Sequence, residues 1–165
     1  MTTEAAFDRY SATVYSFAYR MTRRTYLAED IAQETFLALL RSPARFDPDR
    51  GTMKTFLLSI TRNLVLKHYR DRGESEQLDE GDLAVPSFDP RTSIDTGAAV
   101  AQAIAELPPL QQEALVLFQY EGVTLDELAA IVGAEVGTVK SRLHRARAGL
   151  KRALAPYGGK VHGRS

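Results

Sequence analysis

The residues best placed to do chemistry lie between Val136 and Leu154, in the run VGTVKSRLHRARAGLKRAL. Val136, Val139, Leu143, Ala146, Leu150 and Leu154 fall on one stripe at helical spacing. Lys140, Ser141, Arg142, His144, Arg145, Arg147, Lys151 and Arg152 occupy the remaining arc. Guanidinium and ammonium groups suit phosphates and guanine edges, and a hydroxyl can serve either base or phosphate. A solvated helix face usually mixes both signs of charge, yet nothing acidic follows Gly137. A polyanion is therefore the expected partner of this face. The preceding segment supplies the other half of a familiar arrangement. Thr124 and Glu127 have capping-box spacing, Leu125, Leu128, Ala129 and Val132 give helical periodicity, and Gly133 offers a left-handed exit. A short helix, a glycine-containing turn and a longer basic helix predict a DNA-binding helix-turn-helix over 124–154.

Two earlier stretches also carry polar groups that packing alone does not call for. From Thr52, helical spacing runs through Met53, Phe56, Leu57, Ile60 and Leu64, while Lys54, Thr61, Arg62, Asn63, Lys67, His68, Tyr69 and Arg70 line the polar side. Cations interleaved with rings suit single-stranded nucleic acid, in which phosphates meet the charges and bases stack. Phe56 lies on the apolar stripe and reads as core before stacking platform. Asn63 reads as a contact, because an amide can address a base edge and gains little at mid-helix. On a helix from about Leu27 to Leu40, Ile31, Ala32, Phe36, Leu39 and Leu40 form a broad apolar arc, and Asp30, Gln33 and Glu34 project beside it. No acidic spacing suits a metal, and no nucleophile stands beside a base, so neither a cofactor nor catalysis is expected.

The elements that must position these groups are all helical. Phe7, Tyr10, Val14, Phe17 and Met21 form a first seam, Pro43 and the turn FDPDRG (46–51) separate the second helix from the third, and Val100, Ile104 and Leu107 begin a fourth. Pro109 opens a fifth over 110–122, where Leu110, Ala114, Leu117 and Phe118 can pack on the helix-turn-helix. The predicted fold is all-α: two small helical domains, 1–72 and 98–155, joined by a flexible acidic linker over 73–97 and followed by a tail at 156–165. The C-terminal domain is a four-helix unit containing the helix-turn-helix. About 25 linker residues could extend roughly 80 Å, so two separated units could touch two points of one long partner.

Net charge is zero but sharply segregated. Residues 1–70 carry eleven basic and seven acidic side chains; 71–96 carry two and eight; 97–136 carry none and six; 137–165 carry eight and none. The absence of Cys excludes disulfides and thiolate chemistry. The N-terminus lacks a signal-peptide pattern and no apolar run has membrane-span length, which favours a cytoplasmic protein without membrane insertion.

At this point a resemblance becomes explicit. AEDIAQETFLALL (28–40), with its Asp-x-x-Gln-Glu-x-Phe pattern, looks like the core-polymerase-binding helix of bacterial sigma factors. FDPDRGTMKTFLLSITRNLVLKHYR (46–70) resembles their promoter-melting and minus-ten segment, and 107–154 resembles the domain that reads the minus-thirty-five element. Two domains with only a linker between them are similar to the extracytoplasmic-function (ECF) group of the sigma-70 family. The resemblance covers about 140 of 165 residues, and VGTVKSRLHRAR (136–147) is its strongest piece.

The resemblance implies a dissociable, non-catalytic specificity subunit of RNA polymerase. Asp30, Gln33, Glu34 and Phe36 would meet the core enzyme. Phe56, Arg62, Asn63, Lys67 and Arg70 would serve the minus-ten element, with Asn63 near a flipped base. Thr138, Lys140, Ser141, His144, Arg145 and Arg147 would address the minus-thirty-five element. It further implies a monomer or a complex with a cognate anti-sigma factor. Phe56 stands where the family usually carries Trp, and the chain has no Trp at all. A self-sufficient helix-turn-helix regulator, with 1–72 as a dimerisation or sensing domain, is the competing reading, and a protein-binding adaptor is a third. The regulator predicts stable dimers that bind duplex DNA without polymerase; the adaptor predicts no salt-dependent DNA affinity.

Overall fold

The computed structural model describes residues 1–72 and 96–156. The stretch read as an acidic linker falls almost wholly outside these residues, as does all of the tail beyond Pro156. Helix α1 (Thr3–Thr22) starts where Thr2 accepts the backbone N–H of Ala5 at 3.0 Å. It ends at Arg23, which takes the left-handed conformation at φ 59°. Helix α2 (Thr25–Arg41) returns antiparallel after this tight corner, and a 3-10 turn at Pro43–Arg45 leads away from it. Thr52 then caps α3 (Met53–Asp71) through the Thr55 N–H at 3.2 Å. The C-terminal half comprises α4 (Thr96–Ala105), α5 (Pro109–Leu115) with a π-helical turn over Val116–Tyr120, α6 (Leu125–Val132) and α7 (Val136–Leu154).

The first three helices pack through Val14, Phe17, Ala18, Met21, Ala28, Ile31, Leu39, Leu57, Leu58 and Val65, all buried. Two assignments from periodicity shift by part of a turn. Phe7, placed on the α1 seam by spacing, is 50% exposed and meets Phe36 edge-on, with ring centroids 5.1 Å apart. Thr61, placed on the polar side of α3, is fully buried. Its hydroxyl donates to the Leu57 carbonyl at 2.8 Å and sits 3.0 Å from the Thr35 hydroxyl, which donates to the Ile31 carbonyl. A hydroxyl that bonds the carbonyl one turn back carries little uncompensated polarity into a core. Two buried threonines thus join α2 to α3.

The two halves also share a core. They do not stand apart: one buried cluster runs from Phe17, Met21, Leu58 and Val65 to Leu107, Leu115, Leu117 and Leu128. The polar residues Gln112 and Glu113 are fully buried at this junction. The Gln112 amide donates to the carbonyls of Arg20 and Met21 at 3.2 and 3.3 Å, and the Tyr69 hydroxyl donates to the Met21 carbonyl at 2.8 Å. Lys54 Nζ donates to the Glu121 carbonyl at 2.6 Å, and Ser16 donates to the Glu121 carboxylate at 3.1 Å. Arg20 lies 4.0 Å from the centroid of the Tyr120 ring.

The strongest polar contact is a fork. Arg62 Nε and Nη2 donate to the two Glu113 oxygens at 2.7 and 3.0 Å, with side-chain exposures of 16% for Arg62 and zero for Glu113. Burial pushes the Glu113 carboxyl above its ordinary range, opposed by the hydrogen bond and charge of Arg62 and by the charge of Arg142. A native pKa raised above the unfolded value of 4.5 means that the folded chain holds the proton longer. Stability contributed by this group is then full below pH 4.5 and is lost as pH rises towards the raised native value. Wild type should therefore lose stability relative to Glu113→Gln as pH climbs from 4.5, by at most about 1.4 kcal/mol per pH unit. Denaturant melts of both proteins over that window measure the difference, and parallel stability curves would refute the assignment.

Candidate nucleic-acid interface

The helix-turn-helix is built from local signals that the structure reproduces. The Glu127 N–H donates to the Thr124 hydroxyl at 3.1 Å, and the Thr124 N–H donates to the Glu127 carboxylate at 2.8 Å. The capping box is therefore closed on both sides. Gly133 leaves α6 at φ 70°, a conformation that costs little only without a Cβ. After two more residues α7 begins at Val136. Val139, Leu143, Ala146 and Gly149 turn inward, and a Cβ at position 149 would lie 3.0 Å from Leu107.

With that face packed, Lys140, Ser141, His144, Arg145 and Arg147 are all exposed. Lys140, His144 and Arg147 form one row, at steps of four and three; Ser141 and Arg145 form the next. Thr138 is half-buried in the first turn, beside the N-terminal amides of α7. The Arg147 guanidinium lies 5.8 Å from the Phe118 centroid, so its stem is steered by an aromatic neighbour. Arg142, grouped with the basic arc by the sequence, is instead buried at 9% exposure, and its charge acts on Glu113. One basic residue of the helix belongs to the core; the others form a continuous polar surface.

On α3, which stays helical through its whole length, Asn63, Lys67 and Arg70 are exposed and follow one another at steps of four and three. Arg62 lies on the neighbouring face and is committed to Glu113. Phe56 is half-buried and packs edge-on against Phe46, with centroids 5.4 Å apart. Its ring supports the turn before α3. The five residues named for this segment are thus split three, one and one.

Helix α2 presents Asp30, Gln33 and Glu34 to solvent, whereas Phe36 is 6% exposed and lies in a core cluster with Val14, Leu39 and Leu57. Phe36 holds the helix in place and the three polar residues form the surface. Glu34 and Arg41 approach to 3.8 Å while both are largely exposed, an ion pair of small value in water. Tyr26, at 83% exposure, shares this face with Asp30 and Gln33 at helical spacing. Sequence reasoning passed over it because it precedes the apolar arc, and its position one turn before Asp30 was the available signal. Gln112 and Glu113 were missed for another reason: their burial depends on a partner surface more than 40 residues away. Among the described residues, no group of three or more His, Asp or Glu is arranged to hold a metal ion. No described helix is long and apolar enough to cross a membrane.

The chain is similar to known proteins over both halves. The family model described as Sigma-70 region 2 matches residues 6–74, and that described as Sigma-70, region 4 matches residues 97–150. ECF RNA polymerase sigma factor SigW of Bacillus subtilis is 32% identical over 89% of this chain and 86% of its own length. ECF RNA polymerase sigma factor SigE of Mycolicibacterium smegmatis is 38% identical over 87% of this chain, which spans 58% of that relative. BldN of Streptomyces coelicolor is 31% identical, and the chain again spans 58% of it. Among solved structures, the sigma factor RpoE of Bartonella quintana, captured with the anti-sigma factor NepR, aligns at a TM-score of 0.73. It is 26% identical and covers 92% of this chain and 96% of its own. CnrH, solved with the cytosolic domain of CnrY, aligns at 0.71 and 25% identity, over 93% of this chain and 88% of its own. Two sigma regions in order, with a match that spans most of SigW, place the protein in the ECF group of the sigma-70 family.

Proposed function

We propose that this protein is a promoter-specificity subunit that binds core RNA polymerase, directs it to particular promoters and assists melting. The observation that carries the reading is the outer surface of α7, where Lys140, Ser141, His144, Arg145 and Arg147 are exposed on a helix whose opposite side is packed. Such a helix can enter a major groove with its cations on base edges and phosphates. Thr138, at its N-terminus, holds a phosphate. This surface addresses the minus-thirty-five element. Asn63, Lys67 and Arg70 take the minus-ten strand, joined by Arg62 when it is released from Glu113; Phe56 acts there through packing. Asp30, Gln33 and Glu34 dock on core polymerase from a helix that Phe36 anchors.

In this reading residues 1–72 are the core-binding and melting domain, 98–155 the upstream-reading domain, and 73–97 the connection. The protein works in the cytoplasm without a catalytic group of its own, since nucleotidyl transfer belongs to the polymerase. A cognate anti-sigma factor is the expected inhibitor, as the pairings of RpoE with NepR and of CnrH with CnrY support.

The deciding experiment mixes purified chain with core polymerase and transcribes DNA from upstream of its own operon. A defined start site that depends on the chain is expected; neither core binding nor start-site selection would sink the reading. Arg145→Ala should weaken recognition of the upstream element by about 1–3 kcal/mol and leave core binding unchanged. Asp30→Lys, and more mildly Gln33→Ala, should weaken core binding in a pull-down while duplex binding by the isolated chain persists. Loss of both activities in any one of these variants would show that the two surfaces are not separate.

A further inference from the structure

The fork between Arg62 and Glu113 does more than join two halves. Arg62 belongs to the helix whose exposed row is Asn63, Lys67 and Arg70, and Glu113 belongs to the half that carries α7. Both Glu113 oxygens are occupied by the guanidinium, at 2.7 and 3.0 Å, and the carboxylate has no exposure to solvent. The paired guanidinium is only 16% exposed, and its Nε edge and charge are spent on a carboxylate, so a closed Arg62 offers a nucleic-acid strand far less than a released one. A second clasp lies on the same junction, where Lys54 donates to the Glu121 carbonyl and Ser16 to its carboxylate. Lys54, too, is a cation of α3 turned away from solvent and towards the other half.

We infer that the Arg62–Glu113 pair, seconded by Lys54 and Glu121, is an internal latch that holds the two halves closed and withholds cations of α3 from nucleic acid until the halves part. The inference rests on the proposed role of α3 in binding the minus-ten strand. Release is coupled to binding in a simple way. Affinity of a strand for a chain that is mostly closed is reduced by the fraction that is open. Any partner that holds the halves apart raises that affinity without touching the strand. The buried carboxylate makes closure specific, because Glu113 has no other cation from the first half within hydrogen-bond reach among the described contacts.

The chain has no Cys, so Ala12→Cys and Ala130→Cys, both at exposed positions and one in each half, provide unique sites for spin labels. Pulsed dipolar spectroscopy of the full chain should give one narrow distance distribution. Arg62→Glu, which sets a second carboxylate against Glu113, should shift the distribution to longer and broader distances, and Arg62→Lys should shift it less. Binding of a fluorescent single-stranded DNA by anisotropy supplies the other arm. Glu113→Ala frees Arg62 and should bind about tenfold more tightly than wild type if about a tenth of the wild-type chain is open. Arg62→Glu should open without that gain. Circular dichroism confirms folding, and Glu113→Gln replaces Glu113→Ala if the latter unfolds. Unchanged distances in Arg62→Glu would overturn the latch, and so would an open Glu113 variant that gains no affinity for the strand. Failure of the sigma reading would appear separately, as wild type that selects no start site with core polymerase while the distances still move.

Discussion

A carboxylate with no solvent is the constraint around which this chain closes. Taking Glu113 out of water costs several kcal/mol, and only a matched cation with good geometry offsets that. Arg62 comes from a helix 51 residues earlier and brings the whole first half with it. The apolar cluster shared by the two halves provides attraction without direction, whereas the fork fixes which faces meet. The charge of Arg142 also acts on Glu113, so a basic residue of the helix-turn-helix also serves the junction. A buried pair of this kind is weak evidence for stability and better evidence for register.

Local signals were legible in the sequence wherever the cause was local. Thr124 with Glu127, Gly133, Thr52 and the prolines fix helix ends through groups three or four residues away, and the structure places those ends accordingly. The exposed face of α7 was legible for a similar reason: its stripe of Val139, Leu143 and Ala146 has one period and one partner surface. Reading failed where a second surface intervened. Phe7 looked like core and is half-exposed, because the α1–α2 crossing leaves its end of the seam uncovered. Thr61 looked polar and is buried, because Thr35 answers it from α2. Arg142 was grouped with the basic arc, and Gln112 and Glu113 were not singled out; their burial depends on chain segments that no helical period encodes.

The family resemblance carried the functional assignment further than spacing could, yet the geometry sorts its residues more finely. Phe36 and Phe56 fall within the motifs and act from beneath, one as an anchor of α2 and one against Phe46. Asp30, Gln33 and Glu34 lie on the outside of the same helix. A motif read as a set of contacts is therefore a surface plus its support, and substitutions in the two parts have different consequences. Changes in the support act through the position of the helix, with a cost in core packing; changes in the surface leave packing alone.

The charge segregation gains a second meaning once the halves are seen together. The first 70 residues carry an excess of bases, and 97–136 carry six acids with no base. Read along the chain, the cations of 52–70 suited nucleic acid and the acids of 97–136 had no assigned role. In space they meet, with Arg62 on Glu113 and Lys54 and Ser16 on Glu121; Arg20 lies over Tyr120 beside them. Part of the N-terminal excess is thus neutralised inside the protein. The C-terminal block, 137–165, carries eight bases and no acid, and Lys140 and Arg147 stand exposed on it. Long-range attraction to a polyanion should therefore act first on α7, because a field is set by the charges that remain uncompensated at the surface. The cations of α3 differ in kind: Lys67 and Arg70 are always presented, and Arg62 only when Glu113 lets it go.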